Sequence, residues 1–195
     1  MAALSHAYTI AIKEWGWIDD NPLRKVQKPK EPRGRVRFLS DEEREKLLES
    51  CKNSEEPFLY HIVVLALSTG ARKSEILNLT WADVDLQRKV AVLQQTKNDE
   101  RRALPLAGEA LECVKRLAGM RRIDTRLLFP DTSGKKPILI RAPWQKALKE
   151  AGIEDFRFHD LRHSAASYLA MSGASLAEIA EVLGHKTLQM VKRYS

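Results

Sequence analysis

Near its C-terminus the chain reads LGHKTLQMVKRYS, residues 183–195, where Tyr194 follows two cations and stands nine positions after His185. A free phenol has a pKa of about 10, so it attacks near neutral pH only where neighbouring positive charge stabilises the phenolate. The same tyrosine could equally be the frayed end of a helix. Further upstream, TGARKSEILNL sets Arg72 just after a glycine turn and Glu75 three residues on, on one helical face, where a surface salt bridge also explains the pair. FHDLRHSAASYL sets His159 and Arg162 three apart at a helix start, where backbone N–H groups favour anions as well. Lys97 lies in the polar stretch QTKNDERRALPL.

His159 and His163 are also four apart, the zinc-binding spacing of a metallohydrolase helix, with Asp160 where such helices carry Glu. Asp is shorter than that Glu, and Arg162 would place a fixed cation beside the metal. His163 reads better as a core or capping residue.

The elements that must position these groups can be read from apolar periodicity and punctuation. Residues 4–18 carry Leu4, Tyr8, Ala11, Ile12 and Trp15 at helical spacing and predict a short amphipathic helix. Residues 21–37, NPLRKVQKPKEPRGRVR, hold three prolines and seven Lys or Arg against one acid, Glu31. This stretch reads as a basic linker suited to following phosphates. Ser40 and Glu43 form a capping box that starts a helix running to about Cys51. An apolar helix is expected over about 55–68, stopped by Gly70, and another over 72–79. Alternating stretches around KNDE predict a β-hairpin, and RLLF, residues 126–129, a short strand. Helices are expected at about 107–119, 142–151, 159–172 and 175–183, with Gly173 and Gly184 where C-caps belong. The fold class is therefore mainly α with a small antiparallel β-sheet, an α+β arrangement.

Length and charge narrow the partners. At 195 residues the chain can bury a core without metal or disulfide support. Its net charge of +7 and pI near 9.5 favour a polyanion. Cys51 and Cys113 are too far apart in sequence for a metal motif and read as reduced thiols. No apolar run approaches the roughly 20 residues of a membrane helix, and the N-terminus has no signal-peptide layout, so a cytoplasmic protein without a membrane partner is expected.

Taken together, TGARKSEIL, HDLRHSAAS and an LGH nine residues before a tyrosine resemble the tyrosine recombinase (phage integrase) family over about 38–195. The resemblance implies the family's catalytic-domain fold, with residues 1–20 as the last helix of a truncated core-binding domain and 21–37 as the interdomain linker. It also implies cleavage and rejoining of double-stranded DNA through a covalent 3′-phosphotyrosyl intermediate, with Tyr194 as nucleophile and no cofactor or metal. Arg72 and Arg162 would clamp the phosphate oxygens, since planar guanidinium groups grip them in bidentate fashion and stay charged. His159 and His185 would add directional donors. Lys97 would protonate the leaving 5′ oxygen. The full-length form is expected to be a tetramer on paired DNA sites, and these 195 residues alone a monomer with little activity. The rival expectation is a non-catalytic DNA-binding module, because SLAEIAEVLGHKTLQMVKRY also reads as a helix-turn-helix with a basic second helix.

Overall fold

The computed structural model describes residues 2–27, 37–94, 102–184, 187 and 191. It divides into two compact units, residues 1–35 and 36–195. The first holds helix α1 (Ala2–Lys13) and a short 3-10 turn over Pro22–Lys25. Helix α1 stops five residues before the expected end at 18. Gly16 takes a left-handed conformation at φ 62°, and the Trp17 amide turns back to the Ala11 carbonyl at 3.1 Å. A left-handed glycine closes a helix at little cost, which the apolar spacing of Trp15 did not reveal. Trp15 is accordingly 53% exposed rather than buried on the helix face.

The second unit is a helical domain with one small sheet. Helix α2 (Asp41–Lys52) starts at the expected capping box: the Glu43 amide donates to Ser40 Oγ at 3.1 Å, and the Ser40 amide donates to Glu43 Oε2 at 3.0 Å. Helix α3 (Leu59–Thr69) begins later than 55 because Pro57 ends the preceding turn, and it is almost wholly buried. Helix α4 (Lys73–Leu77) follows.

Strands β1 (Val84–Asp85), β2 (Val90–Leu93) and β3 (Arg102–Pro105) pair antiparallel in the order β1-β2-β3. Strands β2 and β3 are the arms of the expected hairpin, with Leu93 opposite Arg102 as the outermost pair. Strand β1 was not read from the sequence, since a strand of 2 residues has no periodicity to detect. RLLF is not a strand: Leu127 makes a single bridge to Thr80, and its neighbours clasp the 79–81 turn through Leu128 N to Leu79 O at 2.8 Å and Trp81 N to Arg126 O at 2.9 Å.

Helices α5 (Gly108–Gly119), α6 (Arg141–Glu150), α7 (Asp160–Met171) and α8 (Leu176–Leu183) lie within a residue or two of their expected positions. The main core gathers α2, α3, α5, α6, both hairpin strands and the start of α7, with Leu47, Ile62, Ile76, Leu104, Val114, Phe129 and Leu161 fully enclosed. Ala166, Ile179, Ala180, Leu183 and Val191 form a smaller second cluster between α7 and α8. Both cysteines are buried free thiols, and burial pushes the Cys51 thiol up to about 12. No described helix is long and apolar enough to cross a membrane.

Candidate functional site

The site is built around the chain reversal that ends α3. Thr69 donates its hydroxyl to the Leu65 carbonyl at 2.6 Å and accepts from the Ala71 amide at 3.2 Å. Gly70 between them is left-handed at φ 61° and lies directly under Leu183, with no room for a Cβ. Two residues on, Arg72 enters α4 with an extended backbone. Glu75 binds it twice, accepting from the Arg72 amide at Oε2 (2.8 Å) and from Arg72 Nη1 at Oε1 (2.6 Å). The surface salt bridge expected from spacing alone is thus a largely enclosed one, with side-chain exposures of 27% for Arg72 and 7% for Glu75. Burial by itself would raise the Glu75 pKa. The hydrogen bonds from Arg72 and the charges of Arg102 and Arg72 outweigh it and hold the carboxyl below its ordinary value.

Helix α7 supplies the second set. His159 is an exposed residue at its N-cap, and Asp160 in the first turn accepts from the Arg157 amide at 2.9 Å. Arg162, one turn in, is only 4% exposed. It donates from Nη1 to the Gly70 carbonyl at 2.7 Å and from Nη2 to the Leu183 carbonyl. One side chain therefore ties the turn before Arg72 to the end of α8, immediately ahead of Gly184 and His185. Burying a guanidinium is tolerable only when its donors are met, and two carbonyls at fixed positions meet two of its five.

Helix α7 is itself anchored to the segment just before α2. Leu39 donates its amide to Ser164 Oγ at 3.0 Å and accepts from Tyr168 Oη at 2.9 Å. The Arg37 guanidinium pairs with Glu43 and lies 5.5 Å from the Phe156 ring centre. His163 is buried as expected, its ring meeting that of His159 edge to face at 5.3 Å. No group of three His, Cys, Asp or Glu suited to a metal occurs among the described residues.

Of the six residues picked out from the sequence, Arg72, His159 and Arg162 are described, and the bonds of Arg162 bring the turn at Gly70 and the end of α8 at Leu183 to the start of α7. Lys97, His185 and Tyr194 lie outside the described residues. Sequence reasoning missed Arg102. This residue opens β3, donates from Nη2 to Glu75 Oε2 at 2.9 Å and has a side chain 9% exposed. The only signal was its place at the head of the alternating run RALPL, and period two does not distinguish an inward cation from an outward one.

A mainly helical domain that joins the turn before Arg72 to Arg162 and to the end of α8 is the arrangement to be compared with known proteins. Residues 37–195 match the phage integrase family model. The chain is 37% identical over 198 residues to the integrase of Salmonella phage P22 and 36% identical over 196 residues to a shufflon-specific DNA recombinase of Escherichia coli. These alignments cover 95% and 100% of this chain and 49% of each relative. The catalytic domain of bacteriophage HP1 integrase superposes with a TM-score of 0.65 at 29% identity, covering 82% of this chain and 87% of that one. The chain belongs to the phage integrase family of tyrosine recombinases. It spans about half the length of the curated relatives it matches.

Proposed function

We propose that this chain carries the catalytic domain for site-specific DNA strand cleavage and rejoining, with Tyr194 as the nucleophile. The phenolate oxygen attacks a backbone phosphorus, the bond to the 5′ oxygen breaks, and the 3′ phosphate stays esterified to tyrosine. Rejoining reverses the step, so bond energy is kept in the phosphotyrosine and no external energy source enters. Arg72 and Arg162 hold the non-bridging oxygens, His159 and His185 donate beside them, and Lys97 protonates the leaving oxygen.

The observation that carries this reading is the pair of bonds from Arg162 to the carbonyls of Gly70 and Leu183. They draw together three motif stretches separated by 92 and 21 residues in sequence. A helix-turn-helix reading leaves Arg72, His159 and Arg162 unexplained, and in this fold Ile179, Ala180 and Leu183 of α8 are buried in the second core.

The partner we propose is double-stranded DNA. The basic stretch 21–37 would follow the backbone, and α7 would sense it through the anchoring of Leu39. Affinity should fall steeply between about 50 and 200 mM salt as phosphate counterions are released. We propose that strand exchange requires a tetramer on paired sites.

The test is covalent capture on a nicked duplex whose cleaved strand loses its 5′ fragment by diffusion. Wild type should give a protein–DNA adduct that survives denaturant, undiminished by EDTA. Tyr194→Phe should give none while binding DNA within about threefold of wild type. Adducts formed by the Phe variant would assign the nucleophile elsewhere, and loss on chelation with recovery on zinc would favour the His159 and His163 reading.

A further inference from the structure

We propose that Arg102 is a positioning residue that sets both the Arg72 guanidinium and the turn at Gly184 from the loop end of the β2–β3 ladder. The inference rests on the catalytic reading above and deepens it.

Three observations meet in this side chain. First, the Glu75 carboxylate is shared: Oε1 takes Arg72 Nη1, while Oε2 takes both the Arg72 amide and Arg102 Nη2 at 2.9 Å. Arg72 alone holds that carboxylate through one backbone and one side-chain bond. A second cation on Oε2 stiffens the carboxylate further from outside the Arg72 turn, and with it the direction in which Arg72 points.

Second, the Arg102 guanidinium lies against Gly184. A Cβ on this glycine would sit 2.8 Å from Nη1 and 3.0 Å from Cδ, so a side chain there would displace the guanidinium. Gly184 is also the left-handed cap of α8 at φ 63°, and His185 is the next residue. The two requirements coincide at one position.

Third, the arrangement is a poor one for stability alone. Arg102 Nε and Nη1 are buried and have no hydrogen-bond partner among the described residues. Desolvation lowers the Arg102 pKa against the pull of Glu75. An apolar side chain of similar volume would fill such a place without stranding donors. Arg102 pairs with Leu93 at the end of the hairpin ladder, and the chain between them carries Lys97. One residue thus links the strand leading out of the Lys97 segment to Arg72 and to the turn before His185.

The experiment compares wild type with Arg102→Met, which keeps the volume, and Arg102→Lys, which keeps the charge but has no flat face for Gly184. Four quantities are read: the adduct-forming rate at saturating nicked duplex, the DNA dissociation constant, the thermal midpoint, and the NMR signals of the Arg72 Nε–H and the His185 amide. For Arg102→Met we expect a rate lowered about tenfold or more, as misplacement of a donor produces. DNA affinity and thermal midpoint should stay near wild type, and both NMR signals should move while those of α2 and α6 do not.

The charged groups facing Glu75 among the described residues are Arg72 and Arg102. Removing Arg102 withdraws a cation from that carboxylate, so the acid limb of the rate profile should move to higher pH. Arg102→Lys should restore the acid limb and the Arg72 signal but leave the His185 signal displaced. A fall in thermal midpoint that accounts for the lost rate would overturn the proposal in favour of a folding role. Weakened DNA binding at unchanged rate would make Arg102 a DNA contact instead, and unmoved Arg72 and His185 signals would also sink it. The NMR arm holds even if wild type forms no adduct, an outcome that would count against the catalytic reading alone.

Discussion

Arg162 donates from Nη1 to the carbonyl of Gly70, 92 residues earlier, at 2.7 Å, with its side chain sealed from solvent. Charge is thus placed by backbone carbonyls that the chain reversal at Gly70 and the end of α8 present. The Arg162 side chain is thus part of the local fold, which separates the two arginines experimentally.

Arg162→Ala should damage both activity and stability, slowing cleavage by a factor on the order of 10² to 10³ and costing about 2 to 4 kcal/mol, because two buried carbonyls lose their donors. Arg72→Ala should slow cleavage comparably yet cost only about 1 kcal/mol, since its side chain is partly exposed and Glu75 keeps Arg102. Adduct kinetics beside urea denaturation would check this. Equal stability losses would mean that the Arg162 bonds to Gly70 and Leu183 are not formed in solution.

Gly70→Ala should destabilise the domain by about 2 to 3 kcal/mol, combining left-handed strain with overpacking against Leu183. Leu183→Ala alone should also be destabilising, by about 2 to 5 kcal/mol. In the double variant the two costs should be less than additive, because the smaller side chain makes room for the new methyl. Denaturant midpoints of the four proteins would settle it, and strict additivity would disprove the contact.

The role of Lys97 is open to a chemical test. Lys97→Ala should cleave a normal duplex slowly but recover most of its rate when the leaving oxygen is replaced by sulfur, since a thiolate departs without a proton. An equal defect on both substrates would remove Lys97 from the acid role.

Glu43 provides a pH-dependent anchor at the start of the domain. The hydrogen bond from Arg37, aided by the Ser40 amide, holds its pKa at about 2 against an ordinary 4.5. A depressed carboxyl stabilises the fold above its unfolded pKa, and the contribution is lost as pH falls from about 4.5 toward 2. Because both side chains are 30% exposed, solvent screening reduces the gain to about 1 kcal/mol. Glu43→Gln should therefore lose roughly that amount at pH 7 and nothing at pH 2, read as thermal midpoints across the range. A pH-independent difference would mean that the capping bond, not the ion pair, carries the effect.

What the sequence by itself determined follows from local chemistry. The capping box at Ser40 and the glycine stops at 70 and 184 act within a few residues, so the start of α2 and the ends of α3 and α8 are legible from composition and spacing. The spacing of Arg72, His159 and Arg162 left both a salt bridge and an anion site open, and only the joint pattern of motifs pointed to the family. Tertiary structure alone decided which of these groups meet. No periodicity says that Arg162 turns inward to the carbonyls of Gly70 and Leu183, that the Arg72–Glu75 bridge is enclosed, or that Arg102 shares its carboxylate across 27 residues. The short β1 and the clasp of Leu127 and Leu128 around residues 79–81 escaped for the same reason. Helix starts and stops are set by hydrogen bonds between near neighbours. The burial of a charge depends on partners that only long-range packing brings within reach.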